Sequence, residues 1–159
     1  MPARLVLARP DPLMQTFAPE ATAELVAVTL DRRRLGKQRV EAYQILRALT
    51  GGSHGWSNHP ATVMWRGHEA GLAHYGVTMC RAWTALGYKD TCLDKIAAIV
   101  TPDPDDMPWW WGNQLVVESH RSNLIRKEPA HYAPLWPGVT PGLPYMWPRP
   151  DGWLVEGKA

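Results

Sequence analysis

The stretch LDRRRLGKQRVEAYQIL, Leu30 to Leu46, sets Arg32, Arg33, Arg34, Lys37 and Arg39 within eight residues and then adds a carboxylate, Glu41. On a helix, Lys37, Glu41 and Gln44 share a stripe, because spacings of four and three return to the same face. Two readings follow. In one, a solvated helix neutralises Glu41 through Lys37 four residues earlier. In the other, the cations form a phosphate-binding face and the acid is placed for chemistry on a polyanion.

A second basic cluster, SHRSNLIRK, runs from Ser119 to Lys127. Arg121, Arg126 and Lys127 supply charge, while Ser119, Ser122 and Asn123 supply short polar groups suited to phosphate oxygens. Alone, it is equally a solvated helix face. Two such clusters on separate helices of a small domain favour a shared groove. The run Trp109-Trp110-Trp111 offers flat surfaces that stack on a base or wedge between base pairs, with Trp110 the candidate contact. Core anchoring is the competing reading for at least two of the three. Trp56, beside Asn58, is either a loop anchor or part of a pocket lip.

Other chemistries lack a pattern. His68 and Glu69 begin an HE pair, but the next histidine is His74, off that helical face, so the zinc arrangement HExxH is missing. There is no CxxC, Walker loop, GxGxxG or serine-nucleophile signature, and no metal or cofactor is expected. Cys80 and Cys92 make no disulfide framework and read as reduced thiols of a cytosolic protein. No apolar run approaches a membrane span, and the opening MPARLVLARPDPL is not a convincing signal peptide.

The elements that must position these groups are helical. At 159 residues, 45% apolar and 20% charged, the chain suits one domain with a real core. Its formal net charge is only +2, yet residues 32 to 47 hold six Arg or Lys against one Glu. Segregated charge of that kind steers a polyanion to one face.

Residues 1–13 carry Pro2, Pro10 and Pro12 and read as an N-terminal extension. Met14 opens a new phrase, MQTFAPE, and is itself a possible start. Residues 20–29 suggest a short helix or turn, and residues 30–49 the basic helix, which Leu35, Ala42, Leu46 and Leu49 would hold to a core. Gly51 and Gly52 stop it. Asn58 or His59 can cap the next helix, with Pro60 in its first turn.

From Ala61, the positions Trp65, His68, Leu72, Tyr75, Met79, Ala82 and Leu86 continue one face of a helix weakened near Gly71 and Gly76, with His68 a buried structural histidine. Short helices are expected over 91–100 and 113–127. The segment LWPGVTPGLPYMWP is too proline-rich for helix or central strand. The fold expected is mostly α, a single compact helical domain with long Pro/Trp-rich loops and an irregular C-terminal tail. Its parts are 1–13, 14–148 and 149–159.

Taken together, GKQRVEA, GWSNHPATVMWRG, GYKDT, SHRSNLIRKEPAHY and LPYMWP resemble the pyrimidine-dimer DNA glycosylase family, the phage-type endonuclease V relatives. The resemblance covers roughly Met14 to Pro148. Its most specific part is GxxNHP preceded by a helix carrying Glu seventeen residues before the Asn, which puts Glu41 where the family's catalytic glutamate sits. Arg39 stands in for an arginine that usually precedes that glutamate directly, a place taken here by Val40.

The family's nucleophile is its N-terminal α-amine, which attacks C1′ to form an imine and permits strand cleavage. Here the amine falls to Pro2, once Met1 is removed, or to Met14. An α-amine suits that role because its reference pKa is about 8, well below that of lysine. If neither is available, Glu41 activates water instead.

The resemblance thus implies a cofactor-free DNA repair glycosylase, monomeric, cytoplasmic and nucleoid-associated, acting on double-stranded DNA. Its DNA contacts would be Arg32, Arg33, Arg34, Lys37, Asn58, His59, Arg121, Ser122, Asn123, Arg126, Lys127 and Trp110. The alternatives are a non-catalytic nucleic-acid-binding module of the same fold, or a related N-glycosidase for another modified base, RNA or nucleoside.

Overall fold

Helix-forming residues and side-chain caps account for most of the architecture. The computed structural model describes residues 14–52 and 55–157. Residues 14–19 form no regular element but are almost wholly buried. Helix α1 (Ala23–Thr29) starts where the Thr22 hydroxyl accepts from Leu25 N. Helix α2 (Arg32–Leu49) is capped by the Asp31 carboxylate, which accepts from Arg34 N at 3.4 Å, and Gly51 follows its end at φ +83°. The buried face of α2 comprises Leu35, Gln38, Glu41, Ala42, Ile45, Leu46 and Ala48.

The helix expected from Ala61 onward is two elements. Helix α3 (Pro60–Val63) is capped by His59, whose Nδ1 accepts from Ala61 N at 3.0 Å. Gly67, at φ +87°, then turns the chain before α4 (Glu69–Ala85). His68 therefore sits at a helix start rather than in the core: its side chain is 34% exposed and meets Asp106 at 2.9 Å.

Gly71 and Gly76 do not interrupt α4; they let other backbone and side chains press against it. A Cβ on Gly71 would stand 1.8 Å from Asp106 O, and one on Gly76 would stand 2.8 Å from Ile96 Cδ1 and 3.0 Å from Ala42 Cβ. The Gly76 contacts seat α4 against α2 and against α5 (Cys92–Ile99), and the Gly71 contact seats it against the loop at Asp106.

Helix α6 (Gln114–Lys127) starts at Asn113, whose side-chain oxygen accepts from Leu115 N and Val116 N. Helix α7 (Pro129–Tyr132) follows it directly. The core is rich in aromatics: Trp65 packs edge-on to Trp110 at 5.0 Å and against Tyr75 at 5.9 Å. Among the described residues no helix is long and apolar enough to cross a membrane.

The mostly α fold is as expected. One element is not: the C-terminal stretch holds an antiparallel hairpin, β1 (Tyr145–Pro148) with β2 (Leu154–Gly157), in register Tyr145↔Gly157 to Pro148↔Leu154. Proline at 148 is tolerated because it ends a two-stranded edge, with its missing N–H outside any central ladder. β1 packs on α6 and reaches α3, and β2 lies beyond the boundary drawn at residue 148.

Candidate active site

Glu41 is 7% exposed, on the inward side of α2 rather than in a solvated stripe. One turn earlier, Gln38 donates from Nε2 to Glu41 Oε2 at 3.0 Å, and the Gln15 backbone N–H approaches the same oxygen at 3.4 Å. Gln38 is itself locked: its Oε1 accepts from Phe17 N and Tyr75 OH, and its Nε2 also donates to Gln15 O. The extended segment 14–18 is thus threaded past the carboxylate. Ala18 N donates to His120 Nδ1 at 2.8 Å, and Thr16 Oγ1 accepts from Trp65 Nε1 at 2.8 Å. Burial strips water from these groups, so the neighbouring donors set the carboxylate's orientation.

A cleft opens over Glu41, lined by Phe17, Arg33, Arg34, Lys37, Gln38, Glu41 and Lys127. Two helices supply its cations, three from α2 and one from the last turn of α6. The ammonium of Lys127 is held below its usual lysine range, first by burial and then by repulsion from Arg126, Arg34 and Lys37, with Glu41 opposing. Cations pressed together in this way gain from a polyanion that neutralises them. A buried acid and four cations lining one cleft give it the charge to receive a polyanion.

The family model for pyrimidine dimer DNA glycosylase matches residues 14–96, more than half of the chain. The chain belongs to this family. The matched region contains Glu41, the capping His59 and the buried segment 14–18, and it ends before α6 and the hairpin. Among curated proteins and solved structures, nothing matches the chain significantly.

Not every candidate side chain converges on this cleft. Arg33, Arg34, Lys37 and Lys127 line it, and exposed Arg126 lies close enough to perturb Lys127. Arg34 also pairs with Asp31 at 3.3 Å and Glu128 at 3.5 Å. Arg32 stays on the surface beside Tyr88, whose hydroxyl its Nη1 meets at 3.0 Å. Asn58 is exposed, while His59 is spent on the α3 cap and packs between Trp56 and Trp147. Met14 is buried next to Gln15, and Pro2 lies outside the described residues.

Five candidates are engaged away from the cleft. Arg39 forms a mostly buried ion pair with Asp90 and lies 4.7 Å over Trp83, on a flank of α2 that does not line the cleft. Trp110 is fully buried and donates from its indole N–H to Met64 O at 2.8 Å, so it cannot stack on DNA without opening the core. Arg121 is committed to Pro19 O and Glu20 and sits 5.2 Å from the Trp136 ring. Ser122 and Asn123 are buried and bonded to the loop before β1 instead of facing phosphates.

Gln38 and Gln15 were missed. The first had a signal, because it precedes Glu41 by three residues and so shares its face. Gln15 had none, since its contact with Glu41 spans 26 residues.

Proposed function

We propose that this protein is a DNA glycosylase that breaks the N-glycosidic bond of a damaged base in duplex DNA, a pyrimidine dimer by its family. What carries the reading is the buried Glu41 carboxylate at the base of a cleft with Arg33, Arg34, Lys37 and Lys127 on its walls. Breaking the bond builds positive charge on the sugar, and a fixed, poorly hydrated carboxylate stabilises that charge more strongly than one in water. The same oxygen accepts a proton from the attacking group. The cations hold the phosphates on either side while the damaged nucleotide leaves the stack.

The attacking group in the amine route is the α-amine of the chain's first residue, Pro2 once Met1 is removed or Met14 where translation starts there. Gln15 N stands 3.4 Å from Glu41 Oε2, so a chain beginning at Met14 would carry its α-amine one residue from the group that meets the acid. An imine formed there allows the strand to be cut by elimination, which adds a lyase step to the glycosylase. Where the amine is blocked, water held by Glu41 completes base release alone. The protein would then work as a cytoplasmic, nucleoid-associated monomer on double-stranded DNA.

The test is incubation of ultraviolet-irradiated duplex with the protein and sodium borohydride, beside Glu41→Gln. The substituted oxygen still accepts from Gln38, so the fold and DNA affinity are retained while base release falls about 10²–10⁴-fold. A trapped covalent adduct mapped to residue 2 or residue 14 supports the amine route and identifies its nucleophile; alkali-labile sites without an adduct support water. Equal base release by Glu41→Gln refutes the assignment of Glu41. DNA binding without any base release points to a binding module of the same fold.

A further inference from the structure

The polar face of α6 that resembles a phosphate site in sequence holds the hairpin instead, and what it holds in place is Tyr145. Ser122 Oγ donates to Thr140 O at 2.6 Å and accepts from Leu143 N at 2.8 Å. Asn123 Nδ2 donates to Leu143 O at 3.0 Å, and Ser119 Oγ accepts from Met146 N at 3.2 Å. Residue 145 is bracketed by these bonds on both sides. Its ring stands edge-on to His120 at 5.9 Å, and His120 in turn holds Ala18 of the segment that passes Glu41.

Tyr145 is 3% exposed, yet its hydroxyl is buried with no hydrogen-bond partner among the described residues. Leaving such a group unpaired costs free energy, and an orphaned polar atom near a reacting centre calls for a ligand. Its electrostatic surroundings are those of the candidate active site. Burial pushes the phenol up, Arg126 pulls it down, Glu41 raises it and Arg34 lowers it. A hydroxyl set among a carboxylate and two guanidiniums is placed to donate to an oxygen that those guanidiniums also attract.

We propose that Tyr145 is a further substrate-contacting residue of the Glu41 site, donating its hydroxyl to a sugar–phosphate oxygen of the nucleotide whose base is released. The contact is made as the exposed Arg126 side chain, which reaches Asn123 Oδ1 at 3.4 Å in the free protein, turns to the DNA backbone. This rests on the glycosylase reading above.

The experiment is Tyr145→Phe, followed by single-turnover base release from irradiated duplex, affinity for undamaged duplex and thermal unfolding. Phenylalanine keeps the ring against His120 and Trp147 and removes only the unpaired hydroxyl. The expected result is an unchanged or raised unfolding midpoint, affinity for undamaged duplex within about twofold, and base release slowed about ten- to a hundredfold.

Base release equal to wild type overturns the role of Tyr145 while leaving the functional reading intact. So does a lowered midpoint with a normal rate in the folded fraction, because the hydroxyl then serves the fold. A wild-type protein inert on the same duplex overturns the functional reading itself, and this inference with it.

Discussion

His120 makes the acid stability of the protein a measure of how segment 14–18 is held. Its ring is fully buried, Nδ1 accepts from Ala18 N, and desolvation depresses its pKa from 6.5 to about 3. The native state therefore keeps His120 neutral, while the unfolded chain takes up a proton as pH falls below 6.5. The stabilisation is complete above that value and is lost progressively down to about pH 3. Between pH 7.5 and pH 5, linkage with these two constants removes about 2 kcal/mol of unfolding free energy.

The perturbation is His120→Gln, whose side-chain oxygen keeps an acceptor for Ala18 N but does not titrate. Denaturant unfolding of both proteins at the two pH values gives the difference directly. Wild type is expected to lose about 2 kcal/mol more than the variant, since the other histidines and carboxylates are common to both. Equal losses would refute the claim that a neutral, buried imidazole anchors this segment.

Two more outcomes follow from how the cations are partnered. Arg39→Met is expected to cost about 3 kcal/mol, because Asp90 keeps a buried charge without its partner, while base release by the folded fraction persists; urea unfolding with single-turnover assays checks both. Lys127→Ala should shallow the plot of log affinity against log salt by about one unit, whereas Arg121→Ala should leave that slope alone and lower stability, as titrations of duplex DNA at several salt concentrations will show.

The helices were legible wherever local chemistry sets them. Gly51 and Pro60 mark ends that follow from φ > 0 or a missing N–H, and the helices expected over 91–100 and 113–127 fall within one residue of their bounds. Glu41 could be singled out by its cationic surroundings and by resemblance, but not its burial. Helical spacing puts it with Lys37, and equally with Gln38 and Ile45; only docking of segment 14–18 decides which neighbours cover it.

The serine and asparagine of α6 read as phosphate ligands because the short polar groups that suit phosphate suit backbone carbonyls equally well. Arg121 and Arg39 carry the same charge as the cleft cations, yet their partners, Glu20 and Asp90, lie 101 and 51 residues away. The hairpin was illegible because Tyr145–Pro148 shows no alternation: three of its four residues are buried.

The bonds around segment 14–31 also fix when the site can exist. Ala18 to His120, Pro19 to Arg121, Thr29 to His131 and Asp31 to Tyr132 each span 101 or 102 residues. During synthesis, the basic helix and its glutamate emerge long before the groups that enclose them. Until residue 132 clears the ribosome, segment 14–31 lacks these partners, and the early chain must wait for closure over loops of about a hundred residues. The Glu41 cleft is thereby among the last parts of the protein to be assembled.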